Sequence, residues 1–198
     1  MWYGMSRMEE AGFRERVSRL DILRATVYAV GCATHAKDHL VEEKRDKIDR
    51  PLAVVGKLLD TFWNLYPQSL RESIFHSLVA EIDQLTPVEG VPEYELGTGQ
   101  LIWSVAYAFS IAQKKVCDED AVLTAEASTW NAYEAVFSFH HEQGQTYAGE
   151  EEIRELEINS AACRREIEFQ LSFLAVLEAS QGQPPPYATL LQQMGSEH

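Results

Sequence analysis

Leu101-Ile102-Trp103-Ser104-Val105-Ala106-Tyr107-Ala108-Phe109-Ser110-Ile111-Ala112 is the longest apolar stretch of the chain. On a helix its apolar side chains point in nearly all directions, and a helix that is apolar all round is a central one, covered by its neighbours. Ser104 and Ser110 interrupt it, and it falls well short of the roughly 20 residues that a membrane span requires. The stretch predicts the buried centre of a soluble bundle.

The flanking sequence supplies the helices to cover it. Upstream, Thr86 to Gly99 carries two prolines and three glycines and is the longest break in the chain. The segment after the break cannot stand alone, so the break reads as a loop and not as a domain boundary. Before it, Ser69 and Glu72 form a capping box ahead of Ile74, Leu78, Ile82 and Leu85. Pro51 suits a first helical turn and opens a face of Leu52, Val55, Leu59, Phe62 and Trp63, which Pro67 stops. Ser18 and Asp21 resemble a capping box for a helix to about Val41, with Leu20, Leu23, Val27, Val30 and Thr34 on one stripe. Downstream, Asp118 can cap a helix from Glu119 to about His141. Its face holds Val122, Ala125, Thr129, Tyr133, Val136 and His140. Glu150, Glu151 and Glu152 suit a helix N-terminus, where the macrodipole favours negative charge. That last helix runs to about Ala179 and buries Leu156, Cys163, Ile167, Leu171, Leu174 and Leu177. The prediction is an all-α, single-domain antiparallel bundle of about six helices around one hydrophobic helix. Residues 1–14 and 182–198 are expected as loosely held tails.

The chain of 198 residues carries a net charge of -14. Residues 1–60 are nearly neutral at +1, whereas residues 61–198 hold -15. An acidic body repels nucleic acid and anionic membranes and attracts basic partners. The N-terminal stretch lacks an apolar core and carries two acids, which argues against a secretory signal. Cys32, Cys117 and Cys163 are an odd number without short spacing, so they read as buried free thiols in a reducing cytoplasm.

Enzymatic signatures are missing. The chain has no GxSxG, no glycine-rich phosphate loop beyond the two-glycine turn Gly97-Thr98-Gly99, and no cysteine with an obvious histidine partner. His35 and His39, four apart, share a helix face and could supply two metal ligands. Ala36 stands where zincin-type sites place a glutamate, so the pair reads as a polar face. No histidine is preceded three residues earlier by glutamate, which excludes the Glu-x-x-His pattern of di-iron bundles. His140 and His141 sit at a helix end, where imidazolium is favourable. No catalytic residue, metal site or cofactor is predicted. Glu126 and Glu134, on the helix after Asp118, and the acids around the long loop read as a solvated rim. Tyr94 among acids is a plausible protein-binding anchor. The expected contact residues are therefore Glu89, Glu93, Tyr94 and Glu95, with Glu150, Glu151 and Glu152 as a second patch.

The segment order also resembles the YjaG-like bacterial family (domain of unknown function 416). The similarity runs through Arg19-Leu20, Leu58-Leu59-Asp60-Thr61-Phe62-Trp63 and the acidic loop ahead of Gly99. It continues through the run from Leu101 into Ala121–Ala135 and Arg165-Glu166-Ile167-Glu168-Phe169-Gln170. The resemblance implies a compact all-helical bacterial protein and brings no activity or catalytic residues. The functional expectation is a cytoplasmic module that sequesters a basic protein, for example a toxin-neutralising immunity protein. A homo-oligomer remains open. The alternative is an enzyme or metal-binding regulator that uses His35/His39 or His140/His141.

Overall fold

The computed structural model describes residues 3–44, 50–67, 72–85, 97–112, 118–141 and 149–180. Among these the chain is an all-α bundle of nine helices. They are α1 (Tyr3–Glu10), α2 (Phe13–Val17), α3 (Ile22–Lys44), α4 (Arg50–Leu65), α5 (Glu72–Asp83), α6 (Thr98–Ala112), α7 (Asp118–His141), α8 (Glu150–Asn159) and α9 (Ala161–Ala179). None of the described helices is long and apolar enough to cross a membrane.

The helix enclosed on all sides is α3. Every residue from Ala25 to Thr34 is buried, because α3 packs against α4, α6, α7 and α9. Ten consecutive buried positions require small residues on the crowded sides, and Ala25, Ala29, Gly31, Cys32 and Ala33 supply them. At Gly31 an added Cβ would lie 2.1 Å from Phe173 Cε1, so the α3–α9 crossing admits no side chain there. Asp21 caps the helix directly, its Oδ1 accepting from Arg24 N at 2.8 Å. Ser18 belongs to the end of α2, where its hydroxyl bonds Glu15 O, so the expected Ser18–Asp21 box does not form. Leu23, assigned to the buried stripe, is 45% exposed.

Helix α6 is a core helix with one open side. Leu101, Ile102, Val105, Ala108, Phe109 and Ile111 are buried, but Trp103 is 37% exposed and stacks on half-buried Tyr107. The apolar run fits because α6 lies antiparallel against α7 on a seam of small residues. Ser104 Oγ donates to Ser128 O and Ser128 Oγ donates to Ser104 O, both at 2.8 Å. Ala121, Ala125, Ala132 and Ala135 continue the seam on α7. At its upper end Gly97, with φ 78°, sits so close to α7 that a Cβ would meet Ala135 O at 2.4 Å.

The ends of the chain depart further from expectation. Residues 3–14, expected within a tail, form α1 and open α2, and the two helices bury Met8, Phe13 and Val17 against α7, α8 and α9. Arg16 fastens α2 to α9 through Glu178, with Nη2 2.8 Å from Oε2. The expected final helix is two helices. Ser160 leaves the helical conformation (ψ 115°) and its hydroxyl caps α9 by accepting from Cys163 N at 3.2 Å. An Asn-Ser pair at 159–160 is a recognisable helix stop followed by an N-cap, and its consequence is that Glu157 turns inward. Residues 182–198 lie outside the described residues.

Candidate functional site

Two places concentrate chemistry. The first is a cleft of about 680 Å³ between the N-terminal helices and α7. Met8, Phe13, Val122 and Trp130 supply apolar wall, and Glu9, Arg14, Glu15, Ser18 and Glu126 supply the polar groups. The amphipathic spacing of Val122, Glu126 and Trp130, each four residues on, aligns them along one side of α7. Glu126 is half-buried, and burial raises its carboxyl above the usual carboxylate range, partly offset by Arg14. Arg14 Nε lies 3.4 Å away and its own side chain is largely in solvent. The cleft is thus an apolar slot with three carboxylates and one exposed guanidinium.

The second place is a buried polar network through the bundle core. His35 on α3 is bonded through Nδ1 to Glu166 Oε2 at 2.6 Å, and its ring lies flat on Phe169 with centroids 3.9 Å apart. Glu166 Oε1 also accepts from Gln170 Nε2 at 2.7 Å, and the same amide donates to Thr129 O on α7. Tyr28 donates its hydroxyl to Gln170 O. One turn away Tyr133 donates to Glu157 Oε1 at 2.6 Å, with both residues fully buried. Burial pushes the Tyr28, Cys32 and Tyr133 protons up to high pKa, and the Cys163 thiol up to about 11. The groups join α3, α7, α8 and α9, so the network fixes the mutual register of four helices.

This protonation pattern makes the thiols inert, since the thiolate is the reactive form. In a Cys117→Ser background, Cys32 and Cys163 are expected to react with DTNB at pH 8 at least about 100-fold more slowly in the folded protein than in 6 M urea. Fast native labelling of both thiols would contradict the burial.

The histidines are repartnered by the fold. His35 and His39 share a helix but not a partner. His39 Nε2 lies 2.7 Å from His140 Nε2, pairing the end of α3 with the end of α7. His140, expected on the inner face of α7, is exposed, whereas Ala125, Thr129, Tyr133 and Val136 are buried as expected. Burial, with His140 beside it, lowers the pKa of His141. Among the described residues no three His, Cys, Asp or Glu side chains converge as a metal cluster.

Of the expected contact residues, Glu150, Glu151 and Glu152 form the first turn of α8 and are exposed. Helix α8 packs on α1, which lines the cleft through Met8 and Glu9. Trp130, which lines the cleft, also packs in one cluster with Ile153 and Leu156 of α8. Glu89, Glu93, Tyr94 and Glu95 lie outside the described residues. The cleft itself escaped sequence reading because half its wall comes from a segment expected to be a tail. The one available signal was the alternation of Met8, Phe13 and Val17 with charges across residues 7–19. No family model, curated protein or solved structure matches this chain.

Proposed function

We propose that this chain is a binding module that sequesters a basic protein, as a toxin-neutralising immunity protein does, and that the cleft beside α7 receives a lysine or arginine side chain of that partner. The observation that carries the reading is Glu126. A half-buried carboxylate at an apolar wall, raised by burial and only partly offset by an exposed arginine, gains most from a cation that brings its own apolar stem. Phe13 and Trp130 offer surface for that stem, and Trp130 offers a face for the charge. The acidic first turn of α8 and the net charge of -14 add long-range attraction. Kinship with the YjaG-like family is proposed on the quoted segments alone and adds no activity. The buried free thiols Cys32 and Cys163 fit a reducing compartment such as the cytoplasm.

The test uses a defined probe, an arginine- and leucine-rich peptide without tryptophan, titrated against tryptophan fluorescence at low salt. Binding is expected to weaken about tenfold in Glu126→Gln, the loss of roughly one charged hydrogen bond. It is expected to strengthen as pH rises through the raised Glu126 pKa, because the cation pairs with the carboxylate and not with the neutral acid. Equal binding by Glu126→Gln and Trp130→Ala, or equal binding of an aspartate-rich peptide, would remove the cleft from the reading.

A further inference from the structure

We infer that His39 and His140 form a two-ligand site for a borderline divalent transition metal, Zn²⁺, Ni²⁺ or Cu²⁺, bridging the C-terminal ends of α3 and α7. The two Nε2 atoms point at one another 2.7 Å apart. At this distance they share a hydrogen, with Nε2–H of one ring donating to the lone pair of the other. The convergence is long-range. The residues stand 101 positions apart in sequence, and it is the packing of α3 along α7 that brings them together.

A metal ion is a closer match to this geometry than a core role. His39 is half-buried and His140 exposed, so the pair opens to solvent. The two rings are tilted 47° with centroids 5.0 Å apart, and His140 also meets Phe139 edge-on with centroids 5.2 Å apart. Zinc–nitrogen bonds of about 2.0–2.1 Å at a tetrahedral angle place two nitrogens about 3.3 Å apart. The metal-bound separation is therefore reached from the present 2.7 Å by opening the pair by about 0.6 Å, a small rotation of the two rings. Metal binding needs both Nε2 lone pairs. The donating ring supplies its own by moving its proton to Nδ1, the other neutral tautomer, so no net proton is released from the neutral pair. Among the described residues no third His, Cys, Asp or Glu joins the cluster, so two protein ligands are assigned. The donor type selects against hard cations, because imidazole suits Zn, Cu and Ni while Mg²⁺ and Ca²⁺ take oxygen ligands. The net charge of -14 raises the local cation concentration without supplying that selectivity.

The experiment is calorimetric titration of the whole chain with Zn²⁺ and with Ni²⁺ in a non-coordinating buffer at pH 7.5, in the presence of millimolar Mg²⁺. The expected result is one site of micromolar affinity, indifferent to Mg²⁺. It should be weakened at least tenfold in His39→Ala and equally in His140→Ala, and kept in His35→Ala. His140 is exposed and His39 half-buried, and circular dichroism checks that both variants stay folded. Should either variant unfold, His39→Gln and His140→Gln in its place preserve bulk and polarity and are expected to lose the metal equally. Absence of binding up to 1 mM, displacement by Mg²⁺, or loss in only one of the two variants overturns the site.

Discussion

Gly97→Ala is expected to destabilise the protein by about 4 kcal/mol. Two terms add. The φ of 78° costs an L-side chain about 1–2 kcal/mol. The new Cβ would also sit 2.4 Å from Ala135 O, a backbone atom inside α7 that cannot rotate away, and overpacking of this kind costs about 1–3 kcal/mol. For a domain of this size the midpoint of thermal denaturation falls about 2–4 °C per kcal/mol, so a drop of about 8–16 °C should be visible by calorimetry. Gly149→Ala is the matched control. Its φ of 171° is ordinary extended backbone and nothing lies within 4 Å of the added methyl, so it is expected to be neutral within about 0.5 kcal/mol. Similar denaturation curves for the two variants would mean that α6 does not start against α7 as described.

Glu166→Ala is expected to cost about 3 kcal/mol in urea unfolding. The carboxylate is 1% exposed and accepts from both His35 and Gln170. Removing it leaves two donors facing a void, and each buried donor left unsatisfied costs about 1–3 kcal/mol. The His35 side chain is 24% exposed, so water rescues part of its share and the two together come to about 3 kcal/mol. Glu166→Gln, which keeps the shape and one acceptor oxygen, should lose about 1 kcal/mol. In a double-mutant cycle with His35→Ala the two changes should be strongly sub-additive, since each removes the same bond. Simple additivity would show that the pair carries no coupling and that the network does not hold α3 to α9.

Much of the bundle was legible because local rules and global packing agree. Pro51 with the stripe from Leu52 to Trp63 specifies a helix and its buried side, and the run Leu101–Ala112 specifies a core helix, without reference to any partner. Where the reading failed, a partner was deciding. Trp103 belongs to an apolar run yet is exposed, because coverage depends on which helices arrive. Ala25–Thr34 is modestly amphipathic by sequence yet wholly buried, because four helices converge on a surface made of small residues. Met8, Phe13 and Val17 make short helices that are stable only once docked, so isolated propensity undersells them.

The candidate site was less legible than the fold. Glu150 to Glu152 could be placed at a helix start from the macrodipole alone. Glu126 was noticed only as one acid of a solvated rim, and the cleft it lines needs α2 to exist. The buried Glu157 and Glu166 look like any surface glutamate in sequence, and nothing local says that Tyr133 or His35 will meet them.

The sequence by itself determined that the chain is helical, where most helices begin and end, and that its surface is acidic, since these follow from spacing, caps and charge along a single segment. Tertiary structure alone decided that α3 is the enclosed helix, that His39 meets His140, and that Glu126 stands at a cleft. Each of these depends on side chains far apart in the chain. Their approach is set by complementary packing of whole helix faces, which no one segment encodes.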